Sequence, residues 1–349
     1  MRAKTIELYL LPSLTEVIGK DQLVLIDAPG RRASLAKAHD EAALHIRRLN
    51  ASCALITSSL IGSERPVGQT PREHFDTIFA GPAGQLADIK DGMLLVIDCE
   101  WEIVDRELDH VIDLGDFALS LDAEAGASFG DRARQVRHTG LSAIALTGFE
   151  GVAHDGRTLG TANMMIATGS ERPTYVITPQ ASLTISSRSS LLPDQAIEAV
   201  KLANALDKAP KNLRHVPRLL AQSHENRLQP LNAFISAWAG LEILIGATFE
   251  QYEASWTAAI RSALPPSAQN VAGRMRTVMK DKYRLADKFA IMASALDSAG
   301  ADHDIAAFTE LKGVRDAFFH TLSSNPDSLP GEATRRLLRK YLSLHLTQI

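Results

Sequence analysis

Cysteine, aromatic side chains and long apolar runs are all scarce in this chain of 349 residues, and each scarcity removes a class of protein. The two cysteines, Cys53 and Cys99, cannot build a disulfide framework and are not spaced as a CxxC pair, which excludes a zinc knuckle and a redox dithiol. Their apolar neighbours, in ASCALI and VIDCEW, suit buried thiols rather than a nucleophile, which needs a local positive field. Aromatic residues make up 5% of the chain and are thinly spread among its basic stretches, so a base-stacking platform is not indicated. No run approaches the roughly 18 consecutive apolar residues of a membrane span, and the N-terminus lacks the layout of a secretory signal; the expected setting is cytoplasmic, without a membrane partner. A Gly-Lys-Ser/Thr phosphate loop, a dinucleotide fingerprint and HExxH are missing too, so neither a cofactor nor a metal is expected.

What is present is ordinary globular material: 45% hydrophobic, 22% charged, mean hydropathy -0.04. The length exceeds what one core usually fills, which predicts two domains. The net charge of -4 conceals an asymmetry. Residues 1–190 hold 18 Lys+Arg against 25 Asp+Glu, while residues 191–349 hold 19 against 16, so the second half is the better partner for a polyanion.

Secondary-structure signals change at the same place. In residues 1–190, TIELYLL, QLVLID, CALITS, MLLVIDCEWEIV, AIALTGFEGV, TANMMIATG and TYVITP read as strands, Arg32 to Asn50 as a helix, and Asp155-Gly156 as a hairpin turn. After SLTISSRSS, helical periodicity runs almost to the end, predicting helices near 193–207, 212–224, 230–252, 254–263, 267–280, 283–299, 302–323 and 331–345. The expected fold is a strand-rich α+β domain over 1–190 followed by an all-helical domain over 191–349.

Two patterns in the first half invite a catalytic reading. Gly126-Ala127-Ser128-Phe129-Gly130 has the GxSxG spacing of a nucleophile elbow, but the residues before it, Asp-Ala-Glu-Ala, are not a strand leading into the first Gly. Asp98, Glu100 and Glu102 alternate along one strand and project from one face, where they would either hold a hard cation or form the wet side of a half-buried strand.

The segment DHDIAAFTELKGVRDAFFHTLS, from Asp302 to Ser323, carries more information. At about 100° per residue, Ile305, Phe308, Leu311, Phe318, Phe319 and Leu322 gather on one arc, and Arg315 falls near its middle. A guanidinium aimed at an apolar face must be paired, snorkelled or used. Asp316, four residues before His320, shares an edge with it and could orient the imidazole. A structural alternative exists in LNAFISAWAGLEILIGATF, where Phe234, Trp238, Leu241, Ile245 and Phe249 form an apolar stripe with Glu242 at its margin. An Arg315–Glu242 ion pair would account for both residues without catalysis.

Arg315-Asp316-Ala317-Phe318-Phe319-His320 resembles the R-x(4–6)-H motif of the HEPN superfamily, all-helical domains many of which are ribonucleases, and AFISAWAGLEILIG is similar to the corresponding upstream helix of its ApeA-like branch. The resemblance spans roughly residues 193–349. Arg32/His39, Arg132/His138, Arg218/His224 and Arg339/His345 satisfy the same spacing; the late amphipathic helix, the Arg on its apolar arc and the Trp-Leu-Glu helix favour Arg315/His320. Where many active members place Asn after the Arg, this chain has Asp316.

The resemblance implies metal-independent RNA cleavage by the substrate's own 2′-hydroxyl, with His320 moving the proton and Arg315 holding the scissile phosphate. Residues five apart on a helix point about 140° away from each other, so one Arg and one His of the same helix converge poorly, and a homodimer joining two copies of the 302–323 helix is expected. RNA-backbone contacts are expected from Arg274, Arg276, Lys280, Lys282 and Arg284, with Lys288 nearby, and from Arg335, Arg336, Arg339 and Lys340, unless these are solvated faces. By analogy with toxins and defence effectors, the acidic first half is expected to be a sensor or regulatory domain for an unidentified ligand or protein. The competing expectation is a non-catalytic HEPN module that binds a nucleotide, RNA or protein.

Overall fold

The structure, a computed structural model, describes residues 1–349 except 38, 61–64, 86–91, 105–106, 150–156, 167–171, 178–188, 226–228, 280–281, 322–327 and 349; of His320 only the backbone is described. The chain forms two compact units, Met1–Asn204 and Ala205–Ile349. The first is built on a strand-rich mixed sheet and the second is mostly helical, as the sequence patterns imply.

Strands β1 (Arg2–Leu11), β2 (Leu14–Val17), β3 (Gln22–Ala28), β4 (Arg31–Ala36), β5 (Met93–Glu102), β6 (Ile112–Asp113), β7 (Ala118–Ser120), β8 (Arg157–Ile166), β9 (Pro173–Val176) and β10 (Ser189–Leu191) make up the first unit with helices α1 (Asp40–Leu60), α2 (Pro71–Ala80) and α3 (Ala123–Leu146). Eight strands form one sheet in the order β3-β4-β5-β1-β8-β9-β7-β6, and β10 pairs with β2 separately. Within the large sheet β7 and β9 run parallel and the other pairs antiparallel. β1 lies between β5 and β8, so both its edges are paired. Ile6, Leu8 and Leu10 face a core shared with α1, α2, Phe117 and Tyr175. Ala3, Thr5 and Glu7, of opposite parity, face the side on which Phe129 of α3 packs with Met165 and Val176.

Two expected strands require correction, as does the start of the expected helix, which runs from Asp40 rather than Arg32. Arg32 begins no helix: Arg31–Ala36 is β4, paired with β3 and β5, and the tight turn before it uses Gly30 at φ 69°, where a Cβ would come within 2.4 Å of the Glu100 carbonyl oxygen. CALITS lies inside α1, whose inward residues Ala42, Ile46, Leu49, Cys53 and Ile56 repeat with the helical period. AIALTG is likewise the last part of α3, continuing a face marked by Phe129, Ala133, Val136 and Gly140. The helix α2, not anticipated, has a capping box of Thr70 and Glu73 and Pro71 in its first turn. Asp155-Gly156 lies outside the described residues.

Helix α4 (Pro193–Lys208) opens the helical series, and the division between units falls inside it. The second unit continues with α5 (Lys211–Arg214), α6 (Val216–Glu225), α7 (Pro230–Ala263), α8 (Pro266–Met279), α9 (Leu285–Leu296), α10 (Ala301–Thr321) and α11 (Gly331–Leu346). The expected break near residue 253 is absent, and 230–263 is one continuous helix. Its stripe of Phe234, Trp238, Leu241, Ile245 and Phe249 is buried as anticipated. Trp238 stacks on Phe308 of α10 (centroids 5.5 Å apart), Phe308 on Phe289 of α9 (4.2 Å), and Phe289 meets the edge of Tyr341 of α11 (5.0 Å), so one aromatic column ties four helices together. By length and composition α7 could cross a membrane, but half of its most apolar stretch is buried within the protein, the pattern of a core helix.

Candidate functional site

Arg315 sits at the margin of that aromatic column. Phe308, Leu311 and Phe318 of α10 are buried as the wheel predicts, whereas Phe319 is 48% exposed and belongs to the outer side. The Arg315 guanidinium lies between the two environments, 6.0 Å from the Trp238 ring centre and 5.6 Å from that of Phe319. The expected contact with Glu242 forms, Nη2 to Oε1 at 3.6 Å, but the two side chains are 34% and 38% exposed. This is an ion pair at the surface margin, without the desolvation of an interior pair.

Asp316 is engaged by the preceding helical turn and by its neighbour Arg315. Lys312 Nζ donates to its Oδ2 at 2.5 Å and Arg315 Nη1 to its Oδ1 at 3.0 Å. Both bonds, that of Lys312 foremost, hold its carboxyl below the usual aspartate range. The His320 side chain lies outside the described residues, and with it the Arg315/His320 geometry. Two donors near this point have no acceptor among the described residues: Nε of Arg315 and Nε1 of Trp238, both buried. Each such orphan costs about 1–3 kcal/mol, and an oxygen acceptor from outside reaches either atom only where the side chains over it move aside.

Among the competing Arg/His spacings, His345 is a core residue, its Nδ1 2.6 Å from Tyr252 Oη, and burial lowers its pKa. His224 is buried as well. Arg32 lies on β4 and His39 ahead of α1, so that pair shares no helix. Arg132 and His138 lie on α3, where Arg132 covers the Trp101 ring.

The basic residues are less uniform than their sequence suggests. Arg274, Lys282 and Arg284 are exposed. Arg276 is committed to the buried Glu253, with Nε 2.9 Å from each carboxylate oxygen and Nη2 2.7 Å from Oε2. Lys280 lies outside the described residues. On α11, Arg335 bonds Glu332 and the Ser223 carbonyl, and Lys340 lies 2.6 Å from both Asp297 and Asp304. That helix therefore spends at least two of its four cations on internal pairs; Arg336 is exposed.

Asp304 was missed by the sequence reading, although it shares a helical face with Phe308, Leu311 and Arg315. Buried, it accepts from Lys340 Nζ at 2.6 Å and Tyr341 Oη at 2.7 Å, fastening α10 to α11 beneath the candidate site.

The two patterns in the first unit resolve differently from a catalytic reading. GxSxG lies wholly within α3, and β7 ends at Ser120, six residues ahead of the first Gly, so no strand runs into it and no elbow forms. Lys4 of β1, opposite Glu100, places its ammonium 3.1 Å from both Asp98 and Glu100, and no group of three His, Cys, Asp or Glu suited to a metal occurs among the described residues. Burial raises both thiols, that of Cys99 to about 12. No protein-family model, curated protein or solved structure matches the chain.

Proposed function

We propose that the helical unit is a metal-independent HEPN-type endoribonuclease of the toxin or antiviral-defence class, acting as a homodimer, with the sheet unit as its regulatory part. The observation that carries this reading is the state of Arg315: a guanidinium one-third exposed over an aromatic floor, with its own Nε lacking an acceptor among the described residues. A phosphodiester brings oxygens of the required kind. Arg315 then binds the scissile phosphate and stabilises the charge that develops on it. His320 transfers the 2′-hydroxyl proton, a task suited to an imidazole near neutral pH. Asp316, bonded to Arg315, acts as a positioning residue for the guanidinium. Because the two helix positions diverge, each site combines Arg315 of one copy with His320 of the other, and the exposed Phe319 supplies apolar contact between them.

A second reading, a non-catalytic HEPN module, is favoured by one observation: Glu242 and Asp316 already compensate the Arg315 charge. The test is incubation of structured and single-stranded RNA in EDTA with wild type, His320→Ala and Arg315→Ala at equal folded concentration. Cleavage by wild type alone is the expected result. RNA binding lost in Arg315→Ala without cleavage by any form supports the module instead, and equal cleavage by all three places the chemistry elsewhere.

A further inference from the structure

The interior of the first unit contains a feature that neither packing nor RNA cleavage explains. On the α3 side of the sheet, where a buried strand would normally carry apolar side chains, β1 presents Thr5 and Glu7, and β8 presents their cross-strand neighbours Asn163 and Thr161. All four are buried. Thr5 Oγ1 donates to Asn163 Oδ1 at 2.9 Å, which fixes the amide orientation. Above this polar floor the first half of α3 offers only small residues, Ala123, Gly126, Ala127 and Gly130 at helical spacing, leaving a cavity of about 260 Å³. A chain selected only for stability would fill such a space with apolar side chains.

Glu7 gives the cavity its chemistry. Its side chain is 4% exposed, and its Oε1 accepts from Arg137 and, at 3.3 Å, from Thr158. Its Oε2 accepts no hydrogen bond from the described residues, and Glu7 lines the cavity. A bound molecule must therefore present a donor there. Arg137 already neutralises the carboxylate, so a neutral N–H suits this position better than a second cation. The outer end differs: Arg134, half-exposed, lies near Gly130 and among the described residues pairs with the exposed Asp131 at 3.1 Å. The volume falls a little below the ~300 Å³ at which sites for drug-sized ligands begin, which suits a small polar molecule whose charged group stays at the mouth. Neutral N–H donors inside, hydroxyls between and an anion at the mouth are what a nucleoside monophosphate offers.

We propose that this cavity binds a nucleoside monophosphate, with its base inward against Glu7, Thr161 and Asn163 and its phosphate at the mouth against Arg134. The proposal is independent of RNA cleavage, since its readout is binding to the sheet unit and survives loss of His320.

The test is calorimetric titration of the full chain with AMP, GMP, CMP and UMP separately, with inorganic phosphate and glutamate as comparison arms. At least one nucleotide is expected to bind, and Glu7→Gln should weaken it about tenfold by disturbing the inner donor contact. Because Glu7→Gln also breaks a buried ion pair, Gly130→Leu is the second variant. The nearest atom to a Cβ at Gly130 is Arg134 Nη2 at 4.0 Å, so the side chain enters open space and the fold, checked by thermal unfolding, is kept while the cavity is filled. Absence of binding by every nucleotide at millimolar concentration overturns the proposal, as does binding unchanged in Gly130→Leu. Equal binding of inorganic phosphate reduces the site to an anion site, and preference for glutamate reverses the charge argument; either result also overturns it.

Discussion

Replacing Asp316 with Asn isolates the charge beside Arg315 at little structural cost. The carboxylate is 32% exposed and bonds Lys312 and Arg315, so its loss should lower stability by no more than about 1 kcal/mol. That contribution belongs to the charged form: with its pKa lowered in the fold, Asp316 stabilises above the ordinary aspartate range and ceases to do so as pH falls through the lowered value. An RNA phosphate on the far side of the guanidinium would sit about 6 Å from the carboxylate, where two unit charges repel by roughly 0.7–2.8 kcal/mol for dielectric constants of about 80 to 20. With salt screening, a value near 1 kcal/mol is expected, or about fivefold in affinity. The assay is fluorescence anisotropy with labelled single-stranded RNA, made in a His320→Ala background so that the ligand stays intact. Asp316→Asn should bind about fivefold more tightly at low salt, with the gain shrinking as salt rises. Unchanged or weaker binding at low salt, with the fold intact, would refute the placement of phosphate at Arg315.

Asp304→Asn removes the charge that Tyr341 and Lys340 share; Lys340 keeps Asp297, so the loss is dominated by the tyrosine contact and should be about 2–3 kcal/mol in urea unfolding of the helical unit, whereas a loss below about 0.5 kcal/mol would contradict the buried network. Arg276→Ala strands the buried Glu253 and should lower the stability of the helical unit in urea without altering the salt dependence of RNA binding, while Arg274→Ala should spare stability and lower the salt slope by about one; the reverse pattern would exchange their roles. Burial lowers the pKa of His345, and of His45 in the sheet unit, so each unfolded chain gains a proton before its folded form. Stability should therefore fall as pH drops below about 6.5, and His345→Asn should flatten that slope in the helical unit; a slope unchanged by the substitution would remove His345 as its source.

The buried stripe of α7 was legible because Phe234, Trp238, Leu241, Ile245 and Phe249 keep helical spacing over several turns, and β1 and β5 because their apolar runs are long. The failures share a cause. CALITS and AIALTG are short apolar runs that fit either period, and only the length of the surrounding helix, visible once Asn50 joins Leu60 and Asp122 caps α3, decides between them. At the candidate site the Arg315–Glu242 contact was readable from residue types, since an apolar arc cannot hold a lone cation. Its exposure was not, because exposure depends on which helix covers the margin. The polar floor of Thr5, Glu7, Thr161 and Asn163 was invisible for a related reason: alternating polar positions on a strand look like a wet face until a helix is laid across them.

The place of β1 in the sheet sets an order on the protein's birth. β1 is an interior strand that leaves the ribosome ahead of both its partners, β5 and β8, which end at residues 102 and 166. At about 5–20 residues per second, β1 waits roughly 8–30 s for its second neighbour. During that interval its edges are open to wrong pairing, which makes an early-binding chaperone useful to this chain in particular. The same order lets the sheet close well before the helix that carries Arg315 is synthesised.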